Sequence, residues 1–278
     1  MTLSPKNLVL DLLSTIPAGH AVPVGALVRA GAILDVGDNS LRVALTRLRA
    51  HGLVESAGRG HYRLGSAAAA IDHRVRSWYS LEDEVGRWDG SWLATERLSE
   101  RGDQRGASRM LRLLGFRPLS ATLQLRPGNL AGGAEGVRGR LTAIEPDDAT
   151  MVFQMSDLDA DNDAAARALW DGRALERQYA AMIRKLDLST RRLDSLPAER
   201  AMAETFLLGG EAVRMIVNDP LLPSPIVDTA ARRKLVTGTR RYHRLGLRAW
   251  KGWAGESIKL NRGAHSAWRH SATGGNPA

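Results

Sequence analysis

Apolar residues in the first 65 positions recur first at helical and then at extended spacings. Leu8, Leu12 and Leu13 share one face over residues 4–15, with Val9 and Ile16 close by. Ser4 ahead of Pro5 supplies a cap and a first-turn proline, so a helix is predicted there, ending near Pro17. Residues 18–22 make a turn or short strand. A second short helix covers residues 23–32, with Leu27 and Val28 inside it and Gly31 at its end. A third helix begins at the Asp38, Asn39, Ser40 cluster, any of which can cap it. Leu41, Ala44, Leu45 and Leu48 then fall at i, i+3, i+4 and i+7 as one buried stripe, and Gly52 closes the helix. Residues 53–56 and 61–64 read as two strands around the turn Ala57, Gly58, Arg59, Gly60. Three helices and a two-stranded ribbon in this order predict a winged helix-turn-helix over residues 1–66.

Downstream the pattern changes twice. Residues 67–86 read as a linker, alanine-rich and then basic, with a helix over 66–77. A strand over 88–98, a helix over 105–114, an alternating strand over 119–125, a short helix over 134–141 and a strand over 149–155 follow; a further strand is placed at 139–144. That order suits a ferredoxin-like α+β domain over 87–160. The acidic residues 156–163 read as a solvated boundary. Residues 161–255 are helical in character, with a stiff turn at Leu221, Leu222, Pro223, Ser224, Pro225 and a last amphipathic helix over 227–250. Residues 256–278 read as a basic, flexible tail. The fold class is therefore α+β and multi-domain.

Charge sharpens this picture. The formal charge is +9, with a pI near 10.5. Between residues 231 and 270 eleven Lys and Arg face one carboxylate, Glu256, so nearly all of the excess sits near the C-terminus. A polyanionic partner is favoured over an acidic small substrate. The chain has no cysteine, which removes disulfides, thiolate zinc sites and a cysteine nucleophile together. Its first residues make a poor signal peptide and no run of about 18 apolar residues occurs, so a cytoplasmic protein without a membrane span is expected.

The candidate chemistry is recognition rather than catalysis. A helix fits the major groove, where arginine pairs with guanine and an apolar side chain meets the thymine methyl. Asn39, Ser40, Arg42, Val43, Thr46, Arg47 and Arg49 lie off the buried stripe of the third helix and are the candidate DNA contacts. Arg42 and Arg47 are the expected base readers. On the ribbon, Arg59 at the tip, His61 and Arg63 complete the set, and Tyr62 and Leu64 face the core. No nucleophile elbow, phosphate loop or His-Glu-x-x-His motif occurs, so an enzyme is not expected. Asp157, Asp159, Asp161 and Asp163 alternate as in a calcium loop but lack its glycine and terminal glutamate.

Four stretches carry a family resemblance. SLRVALTRLRAHGLVES with GRGHYRLG, RVRSWYSLEDEVGRWDGSWLATERL, RGASRMLRLLGFRPLSATLQLRP and NDPLLPSP resemble, in this order, segments of the PaaX family of bacterial transcriptional repressors. The resemblance implies a winged helix, a ferredoxin-like (Cas2-like) middle domain and a helical C-terminal domain. It also implies a homodimer on a palindromic double-stranded DNA operator, released by an aryl- or acyl-CoA thioester. The residues themselves suggest neither a cofactor nor a metal. Two departures point to a divergent branch: residues 94–100 lack the family's aspartate-proline-glutamate turn, and Val227-Asp228-Thr229 replaces its tryptophan-proline-glycine. The alternatives are a Cas2-like metal-dependent nuclease, with Glu96 its weak ligand, and a non-specific nucleic-acid binder driven by the basic C-terminus.

Overall fold

Helices dominate, and two small antiparallel sheets stand among them. The structure is a computed structural model and describes residues 4–16, 20–68, 78–97, 104–143 and 150–250. The chain divides into two compact units, each assembled from separate parts of the sequence.

The first unit holds the chain up to Trp78, Lys185–Arg214 and the chain from Thr239. Helix α1 (Pro5–Ser14) is capped by the Ser4 hydroxyl, which accepts from the Asn7 N–H at 3.2 Å, as the Ser-Pro pair predicts. Strand β1 (Val22–Pro23) leads into α2 (Val24–Ile33), and α3 (Asp38–Ala50) follows. Gly31 lies inside α2, not at its end. A Cβ there would meet Leu41 Cδ1 and the Val36 carbonyl, each at 3.0 Å, so the glycine lets α2 and α3 approach closely. The start of α3 also differs from expectation. Its N-cap is Gly37, and none of Asp38, Asn39 and Ser40 bonds a first-turn N–H. Strands β2 (Val54–Ser56) and β3 (His61–Leu64) form the hairpin, and β1 pairs with β3 to give the order β1-β3-β2.

The core of this unit joins Leu8, Leu12 and Leu27 to the α3 stripe, and it also takes in Met202 and Trp250 from much later in the sequence. After α7 (Gly172–Arg192), Met202 lies within α8 (Ala198–Val217), and Trp250 directly follows α9 (Thr229–Ala249). The Trp250 indole N–H donates to the Met202 carbonyl at 2.9 Å, and Arg214 meets Asp11 of α1 at 3.1 Å. The N-terminal elements therefore do not close their own core.

The second unit comprises Tyr79–Arg184 and Met215–Gly238. Its sheet is built from β4 (Trp92–Arg97), β5 (Arg117–Pro118), β6 (Leu123–Pro127) and β7 (Thr150–Met155), all antiparallel in the order β5-β6-β4-β7. Helix α4 (Gln104–Leu113) follows β4 and α5 (Gly133–Thr142) follows β6. Leu93 and Val152 face a core with Leu111, Leu114, Phe116, Val137 and Leu141. Trp92, on the other face, stacks on Trp170 and meets Trp88 edge-on. The remaining strand is Arg117–Pro118, and residues 139–142, expected as strand, belong to α5. Strand β4 starts at Trp92, four residues after the predicted start. Residues 119–122, expected as strand, are bends at the β5–β6 turn.

Two further expectations change. The run over 156–163 is largely exposed, as expected, but its second half is helix and not linker. Asp159 caps α6 (Ala160–Arg167) by accepting from the Asn162 N–H, and Asp161 and Asp163 lie in its first turn, where carboxylates suit the helix dipole. Asp163 also accepts the Trp92 indole N–H at 3.2 Å and pairs with Arg167. The expected C-terminal helical region is present, but its helices are shared between the two units. The linking helix over 66–77 is described only as a short 3-10 turn, Ser66–Ala68; the rest of it, and the tail 256–278, lie outside the described residues.

The proline turn before α9 is held by buried polar groups. Arg126 donates to the Pro127, Leu114 and Asn129 oxygens, and Asn129 passes a bond on to the Leu221 carbonyl at 2.9 Å. Asp219 accepts the Leu221 N–H and the Tyr179 hydroxyl. Burial first, then the Asp219 charge, push the Tyr179 hydroxyl far above the usual phenol range, so it stays protonated and donates to Asp219. Gly115 sits under this turn with φ +86°, where a Cβ would meet the Pro220 carbonyl oxygen at 2.7 Å. Gly115→Ala should lower the free energy of unfolding by about 2 to 4 kcal/mol in chemical denaturation, through strain and overpacking together. Gly25→Ala, exposed in α2 with only the Arg29 side chain near, should be neutral or stabilising by about 0.5 kcal/mol. Equal effects at the two sites would contradict the packing described.

Candidate nucleic-acid interface

Helix α3 buries Leu41, Ala44, Leu45 and Leu48, the four residues of the predicted stripe. Everything else between Asp38 and Ala50 is exposed, Val43 included at 43%. At 3.6 residues per turn, Asn39, Val43 and Thr46 stand directly opposite the buried stripe. Arg42 and Arg49 flank them on one side, Ser40 and Arg47 on the other. Arg42 and Arg47, expected together as the base readers, are thus on opposite edges of the outward face, and its centre is small, uncharged and partly apolar.

The hydrogen bonds separate the arginines further. Arg42 Nε donates to Asp38 Oδ1 at 2.6 Å, one turn earlier, with both side chains about half exposed. The Thr46 hydroxyl donates to the Arg42 carbonyl at 3.1 Å, which orients its methyl and oxygen on the helix surface. Arg47 and Arg49 have no ion pair or side-chain hydrogen bond within the described residues. Arg47 contributes only its carbonyl, to His51.

The hairpin carries the second half of the set. Gly58 and Gly60, at φ +118° and +71°, let the chain reverse around Arg59, whose exposed side chain has no ion pair or hydrogen bond within the described residues. The Val24 N–H donates to the Gly60 carbonyl at 2.8 Å, fastening the turn end of the hairpin to the start of α2. His61 and Arg63 point outward. Tyr62 and Leu64 are half-buried against the core, as the alternation predicts. The His61 ring lies 3.1 Å from the Arg59 carbonyl. Arg63 pairs with Glu55 directly across the ladder at 3.1 Å, and Glu55 also accepts the Ser66 N–H.

Asp38 and Glu55 are the two residues that reading the sequence for cations missed. Asp38 was legible from its i, i+4 spacing to Arg42; Glu55 was not, because its partner is fixed by strand register. Exposed pairs of this kind contribute only about 0–1 kcal/mol, so each arginine can exchange its carboxylate for a phosphate at little cost. The outward face thus presents cations of two kinds. Arg47, Arg49 and Arg59 are open, and Arg42 and Arg63 are held in place by a weak internal anion.

Other charged residues lie elsewhere. Arg232, one of the cations of the basic C-terminal stretch, is buried against the proline turn, donating to the Leu222 carbonyl at 2.8 Å between Glu82 and Asp219. Arg109 and Arg112 are exposed on α4, and Arg117 donates to its neighbour's carbonyl. Glu96 is half-buried on β4, opposite Leu123 and Met151. No helix among the described residues is long and apolar enough to cross a membrane.

Residues 4–68 match the family model described as PaaX-like protein, so the resemblance to the PaaX family is borne out over the stretch that forms this surface. No curated protein matches the chain. Among solved structures, the uncharacterized protein Rv0674 from Mycobacterium tuberculosis is similar with a TM-score of 0.53 at 19% identity, over 90% of this chain and 99% of that one. At that identity the likeness concerns the fold alone.

The outward orientation of α3 is testable by stability. Leu45→Ala, 2% exposed, should cost about 2–5 kcal/mol, whereas Val43→Ser and Arg47→Ala should stay within about 0.5 kcal/mol of the parent. A large loss at position 43 in chemical denaturation would mean that this face is packed and not free.

Proposed function

We propose that this chain, PaaX-like over residues 4–68, is a transcription regulator whose first three helices and hairpin form a winged helix-turn-helix that reads double-stranded DNA. The observation that carries the reading is the division of α3 into a buried apolar stripe and an outward face with Asn39, Val43 and Thr46 at its centre and arginines along both edges. A helix of about 10–12 Å diameter enters the major groove, so the central residues approach base edges and the flanking cations approach the backbones on either side. Asn39 suits the N6 and N7 atoms of adenine, and Val43 suits a thymine methyl. Arg47, free of internal partners, can reach either a guanine or a phosphate. Arg59 on the hairpin tip suits the adjacent minor groove.

The rest of the reading is built on this surface. The βαββαβ order and the β5-β6-β4-β7 sheet support a ferredoxin-like, Cas2-like arrangement in the second unit. The protein acts by binding, without catalysis, as a homodimer on a palindromic operator in the cytoplasm, and represses. An aryl- or acyl-CoA thioester would release it by favouring a dimer of different half-site spacing. Arg232 is not available for the phosphates of such an effector, because its guanidinium is committed to the proline turn.

Selecting bound duplexes from a random pool tests the reading. The parent protein should enrich one sequence, repeated as an inverted pair. Asn39→Ala and Val43→Ala should each erase the preference at a single base pair and weaken the selected site by about 1–3 kcal/mol. Arg59→Ala should weaken binding with the central preference intact. Enrichment of the same site by all variants would refute the assignment of α3 as the reading helix.

A further inference from the structure

Helix α9 carries seven Lys and Arg and no Asp or Glu in its 21 residues. Its buried side includes Leu235, Val236, Thr239 and Tyr242. On the opposite side Arg241, Arg244 and Arg248 stand at i, i+3 and i+7, all exposed and all within the first unit, which also holds α3 and the hairpin. None of the three has an ion pair or side-chain hydrogen bond within the described residues.

This arrangement runs against the helix's own interest. Arg244 has Arg240 and Arg248 four residues away on either side and Arg241 three residues before it. Like charges at these spacings repel across adjacent turns. No carboxylate among the described residues pairs with Arg241, Arg244 or Arg248; on the neighbouring helices Glu204 is engaged by Arg192 and Ser189, and Glu211 by Lys185. A stripe of like charge kept without an internal counter-ion is the pattern expected where an outside polyanion supplies one.

We infer that Arg241, Arg244 and Arg248 form a second, sequence-independent contact to the phosphate backbone of double-stranded DNA. The stripe is roughly 10 Å long, the length of about three base pairs, so each guanidinium can meet a separate phosphate. DNA is favoured over an anionic membrane or RNA because the same unit carries the outward face of α3. The inference rests in that respect on the DNA reading above. It differs in kind from the α3 contacts: it adds affinity and salt dependence, and no base preference.

The test uses the full chain, the selected duplex and a scrambled duplex of equal length, with binding measured across a series of salt concentrations. Replacing the three arginines together by alanine should weaken both duplexes by the same factor. It should also reduce the slope of log K against log salt by about 2 to 3, close to 0.9 for each phosphate that is no longer neutralised. The site recovered by selection should be unchanged. Melting of the free variant should be unchanged or raised, since a repulsion is removed. Unaltered affinity and slope would overturn the inference, as would a loss confined to the selected duplex. If the parent binds all duplexes alike and the triple variant loses that binding, the stripe stands and the reading role of α3 falls. If the parent binds no duplex at any salt, or the stripe's effect is seen only on RNA or on anionic phospholipid vesicles, the DNA stripe falls.

Discussion

Burial of one apolar stripe on α3 governs the arrangement of everything around it. Leu41, Leu45 and Leu48 are almost wholly removed from water, and each contributes about 1.5–3 kcal/mol relative to exposure. The exposed Arg42–Asp38 pair on the same helix contributes about 1 kcal/mol at most. Packing therefore decides which way the helix faces, and the opposite side is turned outward regardless of what it carries. That side is then free to be selected for recognition. The same burial explains Gly31, where no side chain larger than hydrogen lets α2 lie against Leu41. It also explains why later helices pack on the first ones: Met202 and Trp250 close a core that the first 65 residues leave open.

In the second unit the comparable constraint is polar. The turn before α9 is surrounded by Arg126, Asn129, Asp219, Tyr179 and Arg232, all buried. Leaving one of these groups unsatisfied costs more than its bond gains, so the network specifies one path for the backbone. Gly115 beneath Pro220 shows how tightly that path is drawn. The arginines that the composition suggests for a polyanion thus divide into two kinds. Arg126 and Arg232 hold the fold, and Arg47, Arg59, Arg241, Arg244 and Arg248 face solvent.

What could be read from the chain follows from how local each signal is. The α3 stripe, the Ser4 cap, the hairpin glycines and the outward positions of the candidate contacts are set by spacing within a few residues, and all were legible. Strand β5 was not, because two residues become a strand only by pairing with Leu125 and Gln124 across a turn. The cap of α3 was misread because three good capping residues follow the glycine that takes the position. The acidic run is exposed, as its composition implies, but the contact of Asp163 with Trp92 is not legible, because the two lie 71 residues apart in sequence. Composition could not say which arginines are buried, since a guanidinium satisfied by carbonyls looks no different in a sequence from one in water.

Photo-crosslinking from single positions tests the central claim most directly. A photoreactive side chain at position 43, in the middle of the outward face of α3, should crosslink to bases at one defined site in a duplex. The same group at position 188, on an exposed part of α7, should not crosslink to that site. Crosslinks from position 43 that are absent, or scattered evenly along the duplex, would contradict the account that burial of the α3 stripe presents its other face to the bases.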